Sequence, residues 1–148
     1  MIELAKHHLN TYFGYESFRP GQDKVIESVL AGRDTLVVMP TGGGKSLCYQ
    51  VPALCLAGTT VVVSPLISLM KDQVDMLRAS GVPAAFINSS LSFEEVQTVM
   101  QQVRNGQLKL LYIAPERLEN NYFCRELASL HVPLIAIDEA HCISQWGH

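Results

Sequence analysis

Thr35-Leu36-Val37-Val38-Met39-Pro40-Thr41-Gly42-Gly43-Gly44-Lys45-Ser46 is the stretch on which the reading of this chain turns. Residues 35–38 form a short apolar, β-rich run. The three glycines after it permit positive φ, so successive N–H groups can turn inward as an anion nest. A helix expected from residue 45 to about 56 adds the positive end of its dipole. Triphosphates fit such a nest: Lys45 reaches the β and γ phosphates and the Ser46 hydroxyl ligates Mg²⁺. The nucleotide set is therefore Thr41, Gly42, Gly43, Gly44, Lys45 and Ser46. Met39 stands where the strict G-x-x-x-x-G-K-[ST] pattern has its first glycine, which argues against nucleotide kinases and small GTPases.

A second signal answers the first. Asp138-Glu139-Ala140-His141 comes directly after the apolar run 134–137. Asp138 is placed to hold Mg²⁺ through water, and Glu139 to polarise the attacking water of an in-line phosphoryl transfer. Lys45, Asp138 and Glu139 make up the expected catalytic set. A lone glycine run also fits a tight turn with a solvated lysine. A strand before it, a helix after it and a strand-terminal acidic box weigh against that reading.

The composition bounds what else the chain can be. At 148 residues and 48% hydrophobic content it suits about one globular domain. The start of the chain, where Glu3, Lys6, His7 and His8 interrupt the aliphatics, reads as neither a leader nor a membrane span, so a cytoplasmic location is expected. Cys48, Cys55, Cys124 and Cys142 show no C-x-x-C pairing, and reduced thiols with no zinc site are expected. A net charge of −3 means that any binding of nucleic acid must come from local geometry.

Short apolar runs at 35–39, 60–64, 84–88, 109–114 and 134–138 alternate with helical patterns, and runs such as Val61-Val62-Val63 read as strands buried on both faces. The expected fold is α/β: a parallel sheet covered by helices on both faces. Helices are expected over 20–32, 45–56, 66–80, 92–105 and, loosely, 120–130. Ser92 with Glu95 three residues on forms a capping box. In such sheets ligands gather at the carboxyl ends of the strands. There stand the glycine loop, Ser64-Pro65, Asn88-Ser89-Ser90, Pro115-Glu116-Arg117 and Asp138-Glu139.

Several longer motifs carry a resemblance. Phe13-Gly14-Tyr15-Glu16-Ser17-Phe18-Arg19-Pro20-Gly21-Gln22, Val63 to Gln73, Tyr112 to Leu118, and Asp138 to His148 together resemble the RecQ family of superfamily 2 DNA helicases, the bacterial members in particular. The most specific piece is Cys142-Ile143-Ser144-Gln145-Trp146-Gly147-His148, which is similar to the opening of the RecQ aromatic-rich loop. Pro-Thr-Gly in place of the first loop glycine fits the helicase type.

The resemblance implies a RecA-like motor domain over 33–148, preceded by a helical segment, 1–32, that carries an adenine-reading motif. Gln22 would read the N6 and N7 edge of adenine, with Tyr15 and Arg19 flanking the ring. Alternatively, Tyr15 packs in a core and Arg19 and Gln22 are solvated. Ser64, Ser68 and Lys71 would hold DNA phosphates at a helix start, and His141, Trp146 and His148 would couple DNA to the ATP site. A buried Trp146 and a hydrogen-bonded loop histidine at 141 are the plain alternatives.

The activity implied by the resemblance is that of an ATP- and Mg²⁺-dependent helicase. It would move 3′ to 5′ on single-stranded and forked DNA in recombination and repair, in a bacterial cytosol and associated with the nucleoid. The chain would stop inside the aromatic-rich loop, before a second lobe and before a strand that belongs beside the Asp138 strand, so in isolation it would not unwind DNA. An RNA helicase of the same superfamily, or a nucleotide-binding interaction module without catalysis, shares the same ATP features.

Overall fold

The computed structural model describes residues 1–33 and 44–138. The run 35–39, expected as the first strand, lies outside the described residues. The chain divides into two compact units, one over Met1–Ala57 and one from Gly58 onward.

The described residues of the first unit are helical. They form α1 (Ile2–Phe13), α2 (Gln22–Leu30) and α3 (Leu47–Cys55). The separate helix α1 goes beyond the expected pattern, although its apolar spacing is helical: Ile2, Ala5, Leu9 and Phe13 fall on one face. Ala5 and Leu9 pack with Ile26 of α2 and Val51 of α3 in a small core, joined by Phe18 and Leu30.

The described residues of the second unit form a parallel sheet of four strands, β1 (Thr60–Val63), β2 (Ala84–Ile87), β3 (Leu110–Ile113) and β4 (Ile135–Ile137), in the order β2-β3-β1-β4. Between them run α4 (Ile67–Ala79), α5 (Phe93–Arg104), a 3₁₀ turn at Pro115–Glu119 and α6 (Asn121–Ala128). The β1-to-β2 connection steps one way across the sheet and the next two step back. Right-handed crossovers therefore put α4 on one face and α5 and α6 on the other.

The packing agrees with that assignment. Val61, Val63, Ala85, Ile87, Leu111 and Ile113 point to one side and pack with Val96, Met100 and Val103 of α5 and Phe123 of α6. Arg104 of α5 also pairs with Glu126 of α6. The expected capping box forms: Ser92 Oγ accepts from Glu95 N at 3.2 Å, and Ser92 N donates to Glu95 Oε1 at 2.9 Å.

The last strand departs from expectation. Its run, 134–137, reads as buried on both faces, yet Ile135 and Ile137 are 58% and 52% exposed. They stand in register with Val61 and Val63, on the α5/α6 side. Among the described residues β4 is the edge strand, and nothing lies over that part of the face.

Met100 is fully buried in the α5 face whereas Met76 of α4 is 70% exposed. Met100→Ala should cost about 2–5 kcal/mol of unfolding free energy, and Met76→Ala within about 0.5. Urea denaturation of the two variants checks this, and equal losses would mean that the α5 face is not a packed core.

Candidate nucleotide and nucleic-acid site

The sheet register brings the strand ends to one level. Val63 is paired with both Ile113 and Ile137, and Ile87 with Ile113. The next residue of each strand stays on the ladder. Ala114 N donates to Ile87 O at 3.1 Å, Ser64 N to Ile113 O at 3.1 Å and Asp138 N to Val63 O at 2.9 Å. Asn88, Ala114, Ser64 and Asp138 thus stand side by side along the carboxyl edge, with Ser64 next to Asp138.

From that edge Ser64 and Asn88 turn the chain. Ser64 is buried, and its Oγ accepts from Leu66 N at 3.3 Å ahead of α4. Asn88 Oδ1 accepts from Ser90 N at 2.8 Å and from Ser90 Oγ at 2.5 Å. Ser68 and Lys71 lie on the exposed side of α4, opposite the buried Met70, Val74 and Leu77. The Lys71 ammonium is not solvated alone: Nζ is 2.7 Å from Asp75 Oδ2. That hydrogen bond and the charge behind it push the Lys71 pKa above its ordinary value, so it stays cationic at neutral pH.

In the first unit Gln22 meets the end of the glycine run. It is 1% exposed. Its Oε1 accepts from Arg19 N at 2.8 Å and its Nε2 donates to Gly44 O at 2.9 Å. Gln22 is therefore not a solvated helix-entry residue; the amide joins the Arg19 turn to Gly44. Among the described residues these two bonds leave one N–H and one lone pair on it. Tyr15 is half exposed. Gly44, Lys45 and Ser46 form the turn into α3, with the Gly44 carbonyl accepting Leu47 N and that of Ser46 accepting Tyr49 N and Gln50 N. The Ser46 side chain caps nothing in α3, so its hydroxyl suits a metal ligand. Asp138, a carboxylate fixed by its backbone at a strand end, suits the water-mediated contact.

Thr41, Gly42, Gly43, Glu139, His141, Trp146 and His148 lie outside the described residues. Among the described residues Cys48, Cys55 and Cys124 are thiols outside any disulfide, and burial pushes the Cys48 thiol up to about 11. No helix among them is long and apolar enough to cross a membrane.

A cavity of about 500 Å³ opens at the opposite, amino edge of the sheet, beside Thr59, Arg104, Lys109 and His131. α5 and α6 both end there. Its cations answer the negative ends of those two helices, and Arg104 is already engaged by Glu126 and Gln101.

Sequence reasoning missed the Gln22–Gly44 bond, because contacts between residues far apart in the chain leave no local signal. It also missed the Lys71–Asp75 pair, whose i, i+4 spacing was there to be read.

Gly44 has φ +78°, and a Cβ built on it would lie 2.5 Å from Gln22 Nε2. Gly106 has a similar φ, +71°, but open space around it. Both alanine variants meet the left-handed penalty of about 1–2 kcal/mol. Gly44→Ala should lose more than Gly106→Ala in thermal unfolding, and Gln22→Ala in the same chain should remove the excess. Equal losses at the two glycines would mean that Gln22 does not press on the loop.

Residues 19–148 match the family described as DEAD/DEAH box helicase. The chain is 59% identical over 140 residues to the "ATP-dependent DNA helicase RecQ" of Haemophilus influenzae, an alignment covering 95% of this chain and 23% of that protein. It is 56% identical over 149 residues to the protein of the same name from Bacillus subtilis, covering 100% and 25%. The chain thus spans about a quarter of the length of these curated relatives. Among solved structures, one described as a hypothetical ATP-dependent RNA helicase from Sulfolobus tokodaii superposes with a TM-score of 0.68 at 26% identity, covering 99% of this chain and 43% of that one. This α/β RecA-like chain belongs to the DEAD/DEAH box helicase family, on its RecQ branch.

Proposed function

We propose that this chain is the ATP-binding lobe of an ATP-dependent DNA helicase that moves 3′ to 5′ on single-stranded and forked DNA in recombination and repair. The observation that carries the reading is the level carboxyl edge. The ladder holds Ser64, where the chain turns toward α4, directly beside Asp138, and this supports a shared site for strand and metal. A motor needs its nucleotide and strand contacts on one rigid frame, and adjacent strands provide it.

In this reading the glycine loop and Lys45 bind the triphosphate, and Glu139 orients the attacking water. Ser46 and Asp138 would hold Mg²⁺, which when bound neutralises phosphate charge. Gln22 reads adenine with its remaining N–H and lone pair while its other two bonds keep the loop in place. Tyr15 and Arg19 flank the ring. Ser64, Ser68 and Lys71 hold DNA phosphates without reading sequence. His141, Trp146 and His148 couple the strand to the ATP site by stacking and polar contact. Cytosolic, nucleoid-associated action fits a DNA substrate. The organisation as a 1–32 adenine-reading segment and a 33–148 motor lobe is part of the same proposal.

The likeness to a structure described as an RNA helicase raises a second substrate, at much lower identity than the DNA helicases. Unwinding of matched DNA and RNA duplexes by the intact protein separates the two.

Lys45→Ala should abolish ATP turnover in the intact protein. Glu139→Gln should still bind ATP but hydrolyse it on the order of 10²-fold more slowly. Steady-state turnover and nucleotide binding measured together test the pair, and a parental rate for Glu139→Gln removes the general-base assignment.

Gln22→Ala should weaken ATP and flatten the preference over GTP by roughly 1–3 kcal/mol of discrimination. Titration with both nucleotides reads this directly, and an unchanged ATP-to-GTP ratio would leave Gln22 a loop brace only.

A further inference from the structure

The exposed stripe of α4 carries Ser68, Lys71 and Asp75, at spacings that stack one above the next along the helix. Ser68 lies in the first turn, close to where Ser64 turns the chain off the sheet. Lys71 lies about one turn further and Asp75 one turn beyond that. To reach a phosphate at the helix start, the Lys71 side chain must extend toward Ser68. In this structure it extends the other way, with Nζ 2.7 Å from Asp75 Oδ2. Arg78, three residues past Asp75, turns its Nε the other way, donating to Ala84 O at 2.7 Å.

The pair is a weak one by construction. Both side chains are well exposed, 66% and 52%, and the lysine precedes the acid, the less favourable order for an i, i+4 pair on a helix. It is strong enough to bias the resting direction of the lysine and too weak to hold it against a phosphate.

We propose that Asp75 is a positioning residue that stows Lys71 away from the nucleic-acid path, so that a DNA phosphate must displace the carboxylate to engage the lysine. Asp75 then sets how tightly, and with what salt dependence, this lobe holds a strand. The inference rests on the reading of Lys71 as a phosphate contact. Exchange of a carboxylate for a phosphate also leaves Asp75 exposed and in need of a cation, which offsets part of the counterion release that DNA binding brings.

The test is a double-mutant cycle in the intact protein: parent, Asp75→Asn, Lys71→Ala and both together. The readout is fluorescence anisotropy with a labelled single-stranded oligonucleotide across a salt series. Asp75→Asn should tighten binding by roughly 2–5-fold and steepen the slope of log K against log salt by up to about 0.7, one single-strand phosphate. Asp75→Glu, which keeps the carboxylate, should behave as the parent. The gain from Asp75→Asn should fall markedly when Lys71 is already alanine.

An unchanged or weakened affinity in Asp75→Asn overturns the proposal. So does an equal gain with and without Lys71, because Asp75 would then act only as a general negative charge. If Lys71→Ala has no effect even beside Asp75→Asn, the phosphate role of Lys71 fails and the inference fails with it. If Lys71 matters and Asp75 does not, only the stowing role is lost.

Discussion

The row of backbone hydrogen bonds from Ala114 to Ile87, Ser64 to Ile113 and Asp138 to Val63 is the constraint on which the arrangement depends. In a parallel sheet the bonds between neighbours are evenly spaced, and a shift of register by one residue turns every side chain to the other face. Here both faces of β1, β2 and β3 are closely packed, so a slip would bury the wrong set on each side. The apolar core therefore enforces the alignment of the polar edge. Hydrophobic packing and the placing of Ser64 beside Asp138 are two effects of one register.

The helical unit solves a different problem by a different means. A glycine-rich loop is conformationally permissive, and that freedom costs entropy when a ligand fixes it. Gln22 ties the Gly44 carbonyl with a buried amide that is itself held by Arg19 N. A small helical core around Leu9, Ile26 and Val51 supports that tie. The tie joins α2 to the turn into α3 across twenty-two residues of sequence.

Much of this was legible in the amino-acid order because it is locally encoded. Val61-Val62-Val63 and Leu110-Leu111-Tyr112-Ile113 announce buried strands, and Ser92 with Glu95 announces the start of α5; each appears within a residue of its expected place. Other features depend on context. Ile135 and Ile137 have the same composition as central-strand residues, and among the described residues β4 stands last in the strand order with its outer part uncovered, as the resemblance implied for a chain that stops before the neighbouring strand. The resemblance pointed to Gln22 as a contact to the nucleotide base. Its bonds within the chain depend on a partner twenty-two residues away and belong to tertiary structure.

The last rung of the ladder also explains where two prolines stand. Residues 64 and 114 must each present an N–H to the neighbouring strand, so neither position tolerates proline. Pro65 and Pro115 come immediately after, at the first positions whose nitrogens are no longer asked to donate. Each one works as a stop: pairing cannot creep outward by another residue, and the chain must leave the sheet at that level. The two central strands are thus stopped by two imino acids, and the edge that carries Ser64 and Ala114 stays flush because neither of them is able to grow.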